Sequence, residues 1–335
     1  MRTRPLFLAI LVLAATPAVA GDFAITYERA KPTFGKPLRT VLHQHGQRMR
    51  FDDVGQSGEV TQTFTTPGQT AKFEVVRRAD GTPRVVSLIE DPAAAPAPNA
   101  KRTYSGETRT LLGQACQVWK ASFTPTLLQT GCTSADGVEL FFQDMPYGER
   151  TAVSIERTKV AAKAVTPPIE WLDLATWAPV STQDHSHDYR VRLGLIDMRR
   201  SGSWVRVDET QGAMRTTRLT DTATGVIFTY TTSGPGRRQL TIERNPAAAA
   251  FTGDAMARLN SVIQGQTCRW WDMTALVMDF SEQQCRTAGG AILSIERSTR
   301  GADFTLQAAT YEDLPQSWTS IAPEREIASP TAWGL

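Results

Sequence analysis

The stretch GQACQVWK (113–120) returns as GQTCRWWD at 265–272, 265 − 113 = 152 residues later. A frame that recurs at such a distance is the mark of a duplicated supersecondary unit, and it constrains the fold more than any composition value does. The match runs well beyond the cysteines. RMRFDD (48–53) corresponds to WVRVDE (204–209), and TAKFEVVRR then PRVVSLIE (70–78, 83–90) to TGVIFTYTT then RRQLTIER (224–232, 237–244). DGVELFF and GGAILSI follow the second cysteine of each unit, and LATWAP (174–179) and SWTSIAP (317–323) are matched as closing segments. The Pro/Ala run DPAAAPAPNA (91–100) has a counterpart in NPAAAAF (245–251), so it reads as a loop inside a unit rather than a linker. The boundary falls instead in the polar STQDHSHD (181–188), giving units 21–183 and 184–335.

Residues 1–20 stand apart. Arg2 and Arg4 precede the apolar run PLFLAILVLAA, and AVA ending at Ala20 is a small-residue cleavage site, the pattern of a secretory leader. No cysteine follows the cleavage point to carry a lipid. No later segment reaches the roughly 20 apolar residues of a membrane helix, so the chain is not expected to span a membrane. Removing Arg2 and Arg4 leaves 36 − 2 = 34 basic against 34 acidic residues, which gives no case for a nucleic-acid partner. Asn99, Asn245 and Asn260 form no N-x-[ST] acceptor. The expectation is a soluble exported protein of the bacterial periplasm.

Within a unit the apolar period is two. Met49 and Phe51 alternate with Arg48, Arg50 and Asp52, as Val205 and Val207 alternate with their polar neighbours. Phe73 with Val75, Val86 with Leu88, and Leu240 with Ile242 each point one way, between the turn sequences ADGTP and SGPGR. This predicts half-buried antiparallel strands. Helical patterns are confined to TGDAMARLNSV (252–262) and PPIEWLDLATW (167–177). The fold class is therefore mainly β: two tandem antiparallel curved sheets, incomplete barrels, each with one or two short helices.

Four cysteines in an exported chain imply two disulfides, with three connectivities open to them. The repeat chooses: each unit holds one pair, separated by 16 and 17 residues (132 − 116 and 285 − 268), so Cys116–Cys132 and Cys268–Cys285 are expected. Each closes a loop worth about 3 kcal/mol. Trp119 and Trp271 stand three residues after the first cysteine, so on a strand the indole faces away from the sulfur, toward a core or a cavity. With Met49, Phe51, Phe73, Val75, Val86, Leu88, Val205, Val207, Leu240 and Ile242 they are the candidate lining.

Chemistry-bearing motifs are scarce. The histidines form the pairs His43/His45 and His185/His187, and i,i+2 imidazoles share a strand face suited to one metal. No third ligand is fixed for either; His185 and His187 are the stronger of the two metal candidates, but solvated loop histidines are the expectation for both pairs. Asp52/Asp53 and Asp208/Glu209 recur in register and read as hairpin-end residues that keep an edge soluble. No G-x-S-x-G, H-E-x-x-H or phosphate loop occurs, so neither catalysis nor a cofactor is expected.

The unit resembles the superfamily of Lol-type outer-membrane lipoprotein carriers, and more closely exported relatives with a glycine, then C-x-x-W, then C-T-x-x-D-G before a strand. The matching residues are Gly113, Cys116, Trp119, Cys132, Thr133, Asp136 and Gly137, then Gly265, Cys268, Trp271, Cys285 and Gly290. Unit two departs at Arg286 and Gly289. The resemblance implies a curved, incomplete barrel plugged by helices, whose concave face holds acyl chains. The expected function is non-catalytic binding of an apolar or lipid-like ligand in the cell envelope. The alternative is a scaffold of solidly packed β domains that contacts an envelope protein. The last residues, EREIASPTAWGL (324–335), are expected to be a loose tail.

Overall fold

A computed structural model of the chain describes residues 21–29, 38–66, 69–92, 102–124, 127–144, 148–178, 185–234, 236–246, 254–258, 260–273, 281–298, 303–324, 327 and 329–333. Residues 1–20, where a leader is expected, most of the Pro/Ala run, and residues 179–184, which include the expected boundary between 183 and 184, lie outside the described residues.

The first strands are β1 (Phe23–Glu28), β2 (Arg39–His45), β3 (Arg48–Val54), β4 (Val60–Thr65), β5 (Ala71–Arg77) and β6 (Pro83–Glu90). Then come β7 (Thr103–Leu111), β8 (Gln114–Thr124), β9 (Leu127–Ser134), β10 (Glu139–Asp144) and β11 (Gly148–Glu156). β12 (Tyr189–Leu193), β13 (Ile196–Ser201), β14 (Trp204–Gln211), β15 (Met214–Asp221), β16 (Val226–Ser233) and β17 (Arg237–Arg244) follow. The last are β18 (Asp254–Ala255), β19 (Ser261–Ile263), β20 (Gln266–Asp272), β21 (Ser281–Arg286), β22 (Ile292–Ser298), β23 (Asp303–Gln307) and β24 (Thr310–Glu312). Among the elements described in full, helix is confined to α1 (Trp318–Ile321) and short 3-10 turns such as Ile169–Leu172, Leu174–Thr176 and Pro330–Trp333. The protein is mainly β, and its antiparallel sheets do not close into a barrel.

By packing the chain forms two units: residues Met1–Met49 with Pro98–Val165, and residues Arg50–Ala97 with Thr166–Leu335. These are not the two sequence units. Residues 50–97 join the second because β6 pairs edge to edge with β17.

In the first unit the strands run β2–β1–β11–β10–β9–β8–β7, each pair antiparallel. Cys116 and Cys132 link β8 to β9. On the other face of β8, Trp119 lies opposite Gly131 of β9 with 1% of its surface exposed, and donates from Nε1 to Thr133 Oγ1 at 2.9 Å.

In the second unit one sheet runs β4–β5–β6–β17–β16–β15–β14–β13–β12–β24. β-branched and aromatic residues dominate β16, which suits a pleated strand packed on its neighbours. A second sheet is built on β20, which β18 and β19 both pair, and continues through β21, β22 and β23. The Cys268–Cys285 disulfide joins β20 to β21.

Two expectations need correcting. The helix expected over 252–262 is not found among its described residues: Asp254–Ala255 and Ser261–Ile263 pair with β20 as strands, and the Met256 amide donates to the Trp270 carbonyl at 3.1 Å, so the backbone groups are spent on the edges of β20 rather than on a helix. Residues 167–177 form two 3-10 turns rather than one helix, broken at Asp173, whose side chain accepts from the Ala175 amide at 3.0 Å.

Candidate functional site

The β4–β6 and β14–β17 strands of unit two present one apolar face. Phe73, Val75, Val86, Leu88, Leu240 and Ile242, six of the candidate lining residues, converge there with 0% exposure, beside Phe64, Leu219 and Phe228. Cross-strand register explains the convergence: Phe73 lies opposite Leu88, Val75 opposite Val86, Leu88 opposite Leu240, and Val86 opposite Ile242. Burial of such side chains contributes roughly 2 kcal/mol each.

What covers this face is irregular chain. Leu172, Leu174 and Trp177 lie on it from the 167–178 segment, and Ile321 and Trp333 from the 318–333 segment, with Trp171, Trp318 and Ile327 at the margin. Trp177 Nε1 donates to the Trp171 carbonyl at 2.8 Å, and Trp333 Nε1 to the Ile327 carbonyl at 2.9 Å. Arg77 lies over the Trp171 ring at 4.4 Å and Arg238 over the Trp333 ring at 4.3 Å. Arg244 also donates to the Trp177 carbonyl. The terminal segment is therefore not loose at Trp333, which is 4% exposed and meets Tyr230 edge-on at 6.3 Å.

A buried polar network pins the second cover. Arg206, on β14 among the apolar side chains, donates to both oxygens of Asp208 at 2.8 and 3.0 Å, to the Ala322 carbonyl at 2.7 Å and to Glu324 at 2.8 Å. Arg199 bonds Asp208 and the Ser320 carbonyl, and Thr217 Oγ1 donates to Asp208 at 2.7 Å. Asp208 is thus no hairpin-end residue: β14 runs three residues further, to Gln211, and the carboxylate compensates a guanidinium that is only 5% exposed. Arg50 and Asp52, the corresponding pair in the other sequence unit, are 2.8 Å apart, with Gln62 donating to Asp52 and Arg77 to Gln62.

Burial pushes the Asp208 carboxyl up, but the hydrogen bonds from Arg206 and Thr217 outweigh it and hold the group below the ordinary 3.8. Burial likewise raises Glu324, and its bond from Arg206 brings it below the ordinary 4.5. A depressed folded-state value means stability that is complete above the unfolded value and lost as the pH falls through the folded one. Wild type should therefore melt higher than Glu324→Gln near neutral pH, and the gap should close as the pH drops from about 4.5 downward. A gap constant down to acid unfolding would remove Glu324 from the clamp.

Beneath α1 the Trp204 ring is fully buried, 5.4 Å from that of Trp318, and its indole N–H has no acceptor among the described residues. Buried donors are seldom left so, which marks this as a polar point in an apolar face.

The remaining candidates sit elsewhere. Val205 and Val207 are half-buried on the opposite face of β14, packed with Tyr189, Val191, Met198 and the second sheet. Met49 and Phe51 are half-buried on β3. Trp271 is not the core tryptophan of its strand: Cys268 and Trp270 share the buried face, Trp270 at 2% exposure, while Trp271 lies half-exposed near Arg269. His185 Nδ1 pairs with Asp188 Oδ2 at 2.6 Å, and Asp188 accepts from the Gly202 and Gln316 amides at 2.9 and 2.8 Å, so this acid braces a loop. His187 packs beside Gly289. His45 pairs with Asp22 at 2.9 Å. Among the described residues no three His, Cys, Asp or Glu side chains gather as a metal site.

No protein-family model matches the chain, and no curated protein is similar to it in sequence. Among solved structures, the MucA/MucB complex of Pseudomonas aeruginosa is similar at 13% identity over 70% of this chain and 92% of that one, with a TM-score of 0.23. MucB in complex with MucA(peri) is similar at 13% identity, 70% and 91% coverage, and a TM-score of 0.22. Overlap of that extent says nothing about either unit here. Fold and site by themselves define a disulfide-stapled β protein with a covered apolar face.

Proposed function

We propose that the protein is a non-catalytic binding protein of the cell envelope, and that the covered face of unit two is where an apolar or lipid-like ligand enters when a cover lifts. The observation that carries this is the nature of the cover. A continuous apolar face drawn from two sets of hairpins is closed by 3-10 turns and a four-residue helix. Such irregular covers belong to the low-stability end of a protein's local openings. The Trp204 N–H supplies a buried donor for a carboxyl or ester oxygen of the ligand. The leader pattern of residues 1–20 and the two disulfides support an exported, oxidising location.

The second reading is a scaffold whose packed sheets contact an envelope protein. Zero exposure across Phe73, Val75, Val86, Leu88, Leu240 and Ile242 favours it. Native mass spectrometry of protein purified without detergent, repeated after lipid extraction, separates the two. An added mass that matches an acyl lipid and leaves on extraction is the expected result. A clean apo mass, unchanged when lipid is returned, would reject the carrier and leave the scaffold.

A further inference from the structure

β7 is nine residues long, and residues 103 to 110 are all exposed. Among the described residues it pairs only with β8, so it ends the sheet of the first unit with a row of backbone groups turned outward. The hairpin fixes which groups those are. Leu112 and Gly113 have φ of +51° and +72°, a two-residue turn whose flanking residues Leu111 and Gln114 bond one another. Alternation then points the amide and carbonyl of Arg109 and Leu111 at β8, and those of Thr108 and Thr110 at the open edge.

The second sequence unit closes the same edge. Ala255 lies opposite Trp271 as Tyr104 lies opposite Trp119, and Ser261 lies opposite Cys268 as Arg109 lies opposite Cys116. β18 and β19 are therefore the two halves of the β7 counterpart, and Gln264 and Gly265 repeat its turn with φ of +54° and +73°. Between the halves the chain leaves the edge. Arg258 lies over the Trp270 ring at 3.8 Å and donates to both oxygens of Glu296 on β22, at 2.7 and 3.1 Å. A broken edge strapped to its own sheet is a poor template for another strand. In β7 the interruption shrinks to a bulge around Gly106, where φ is +78° and no side chain stands outside the strand.

The open edge is complementary to itself. Glu107 and Arg109 share one face of β7 and pair at 2.8 Å. When two copies meet antiparallel about Thr108, that residue faces its own counterpart, and Glu107 of each chain lies opposite Arg109 of the other. An axis one residue to either side would set Glu107 against Glu107 or Arg109 against Arg109, which repulsion disfavours. β8 measures the rest. Tyr104 beside Trp119 and Thr110 beside Ala115 are each two β8 residues from Gln117, the partner of Thr108 (119 − 117 and 117 − 115). Tyr104, 53% exposed, thus reaches Thr110 of the second copy, a favourable pair of an aromatic and a β-branched side chain.

The chain already contains one joint of this kind. In the sequence repeat, Val86, Ser87 and Leu88 correspond to Leu240, Thr241 and Ile242. Across β6 and β17, Ser87 pairs with Thr241, its own counterpart, while Val86 pairs with Ile242 and Leu88 with Leu240. That crossed pattern is an isologous contact, with its local axis between the Ser87 and Thr241 hydroxyls, 3.3 Å apart.

We infer that β7 is the contact of a homodimer, in which two copies of the chain pair antiparallel about Thr108 and join their first-unit sheets into one. The contact uses no residue of the covered face of unit two, so it stands whether or not that face binds a ligand.

The test is sedimentation velocity of the full chain from micromolar to submillimolar concentration. Wild type should pass from one chain mass to two as the concentration rises. Glu107→Arg and Arg109→Glu should each weaken the dimer at least about tenfold, because each sets two like-charged pairs across the axis. An equal mixture of the two variants should recover an affinity within about threefold of wild type, since each chain then offers the charge that the other lacks. A wild type that stays monomeric throughout overturns the inference. So does a dimer indifferent to both reversals, which puts the contact elsewhere, and a loss that the mixture does not restore, which excludes pairing about Thr108. Should either variant fail to fold, Thr108→Cys replaces the pair. It should cross-link to its own copy under mild oxidation, because facing Cα atoms of a ladder lie about 5.5 Å apart, while Thr103→Cys should not. No cross-link at position 108 overturns the inference as well.

Discussion

Arg206→Ala should lower the unfolding free energy by about 3 kcal/mol, the scale on which a buried ion pair fails when one member is removed. The guanidinium serves Asp208 with two donors, Ala322 with a third and Glu324 with another, at a position that faces Trp204, Leu219 and Ile321 rather than water. Truncation leaves the Ala322 carbonyl without that donor and Asp208, among the described residues, with Arg199 and Thr217. Lysine restores the charge but not the fork, so Arg206→Lys should recover only part of the loss. Urea unfolding of the three proteins gives the values, and amide exchange should show residues 318–324 loosening ahead of the sheet in the alanine variant. A loss below about 1 kcal/mol would mean that apolar contacts of Trp318 and Ile321 hold the cover by themselves.

The same strand shows why sequence carries the fold further than the site. Alternation in WVRVDE specifies a strand and makes its valines the candidate lining, but they lie on the face away from the cover. Trp204 and Arg206 face the covered core while Val205 and Val207 meet the second sheet. Both faces of β14 are packed, so period two gives the strand but not which side is which. In β20 the adjacent tryptophans pose the same problem. The frame shared with GQACQVWK points to Trp271, but the residue two after Cys268, on the cysteine's own face, is the one buried. Disulfide pairing was legible because duplication reduces it to spacing. The covers were not: an indole reaching back six residues has no periodic trace, and the anchor pairs Trp171/Trp177 and Ile327/Trp333 share only one residue type. Phe73, Val75, Val86, Leu88, Leu240 and Ile242 were found because each lies on a strand with one apolar row, and the β6–β17 pairing then joined rows that the sequence shows only separately.

Gly131→Ala in the first unit should cost about 2 kcal/mol for the addition of one methyl group. The glycine has no unusual backbone to protect; its role is steric. A Cβ there would lie 2.3 Å from Trp119 Cζ2 and 2.4 Å from Cε2, distances no packed pair tolerates. The ring cannot retreat freely, because the Arg102 guanidinium, paired with Glu139, lies 4.0 Å from its centroid and the indole N–H is committed to Thr133. The test of this cause is a double-mutant cycle measured by urea unfolding. Trp119→Ala by itself should cost about 3 to 5 kcal/mol as a buried aromatic is lost. In that background Gly131→Ala should be neutral, or stabilising by up to about 1 kcal/mol, since alanine suits a strand better than glycine once the ring is gone. The coupling between the two sites should then be about 2 kcal/mol or more. Additive losses would place the cost of Gly131→Ala in the β9 backbone, and would make the pairing of a glycine with the tryptophan across the strands incidental to how this unit is held together.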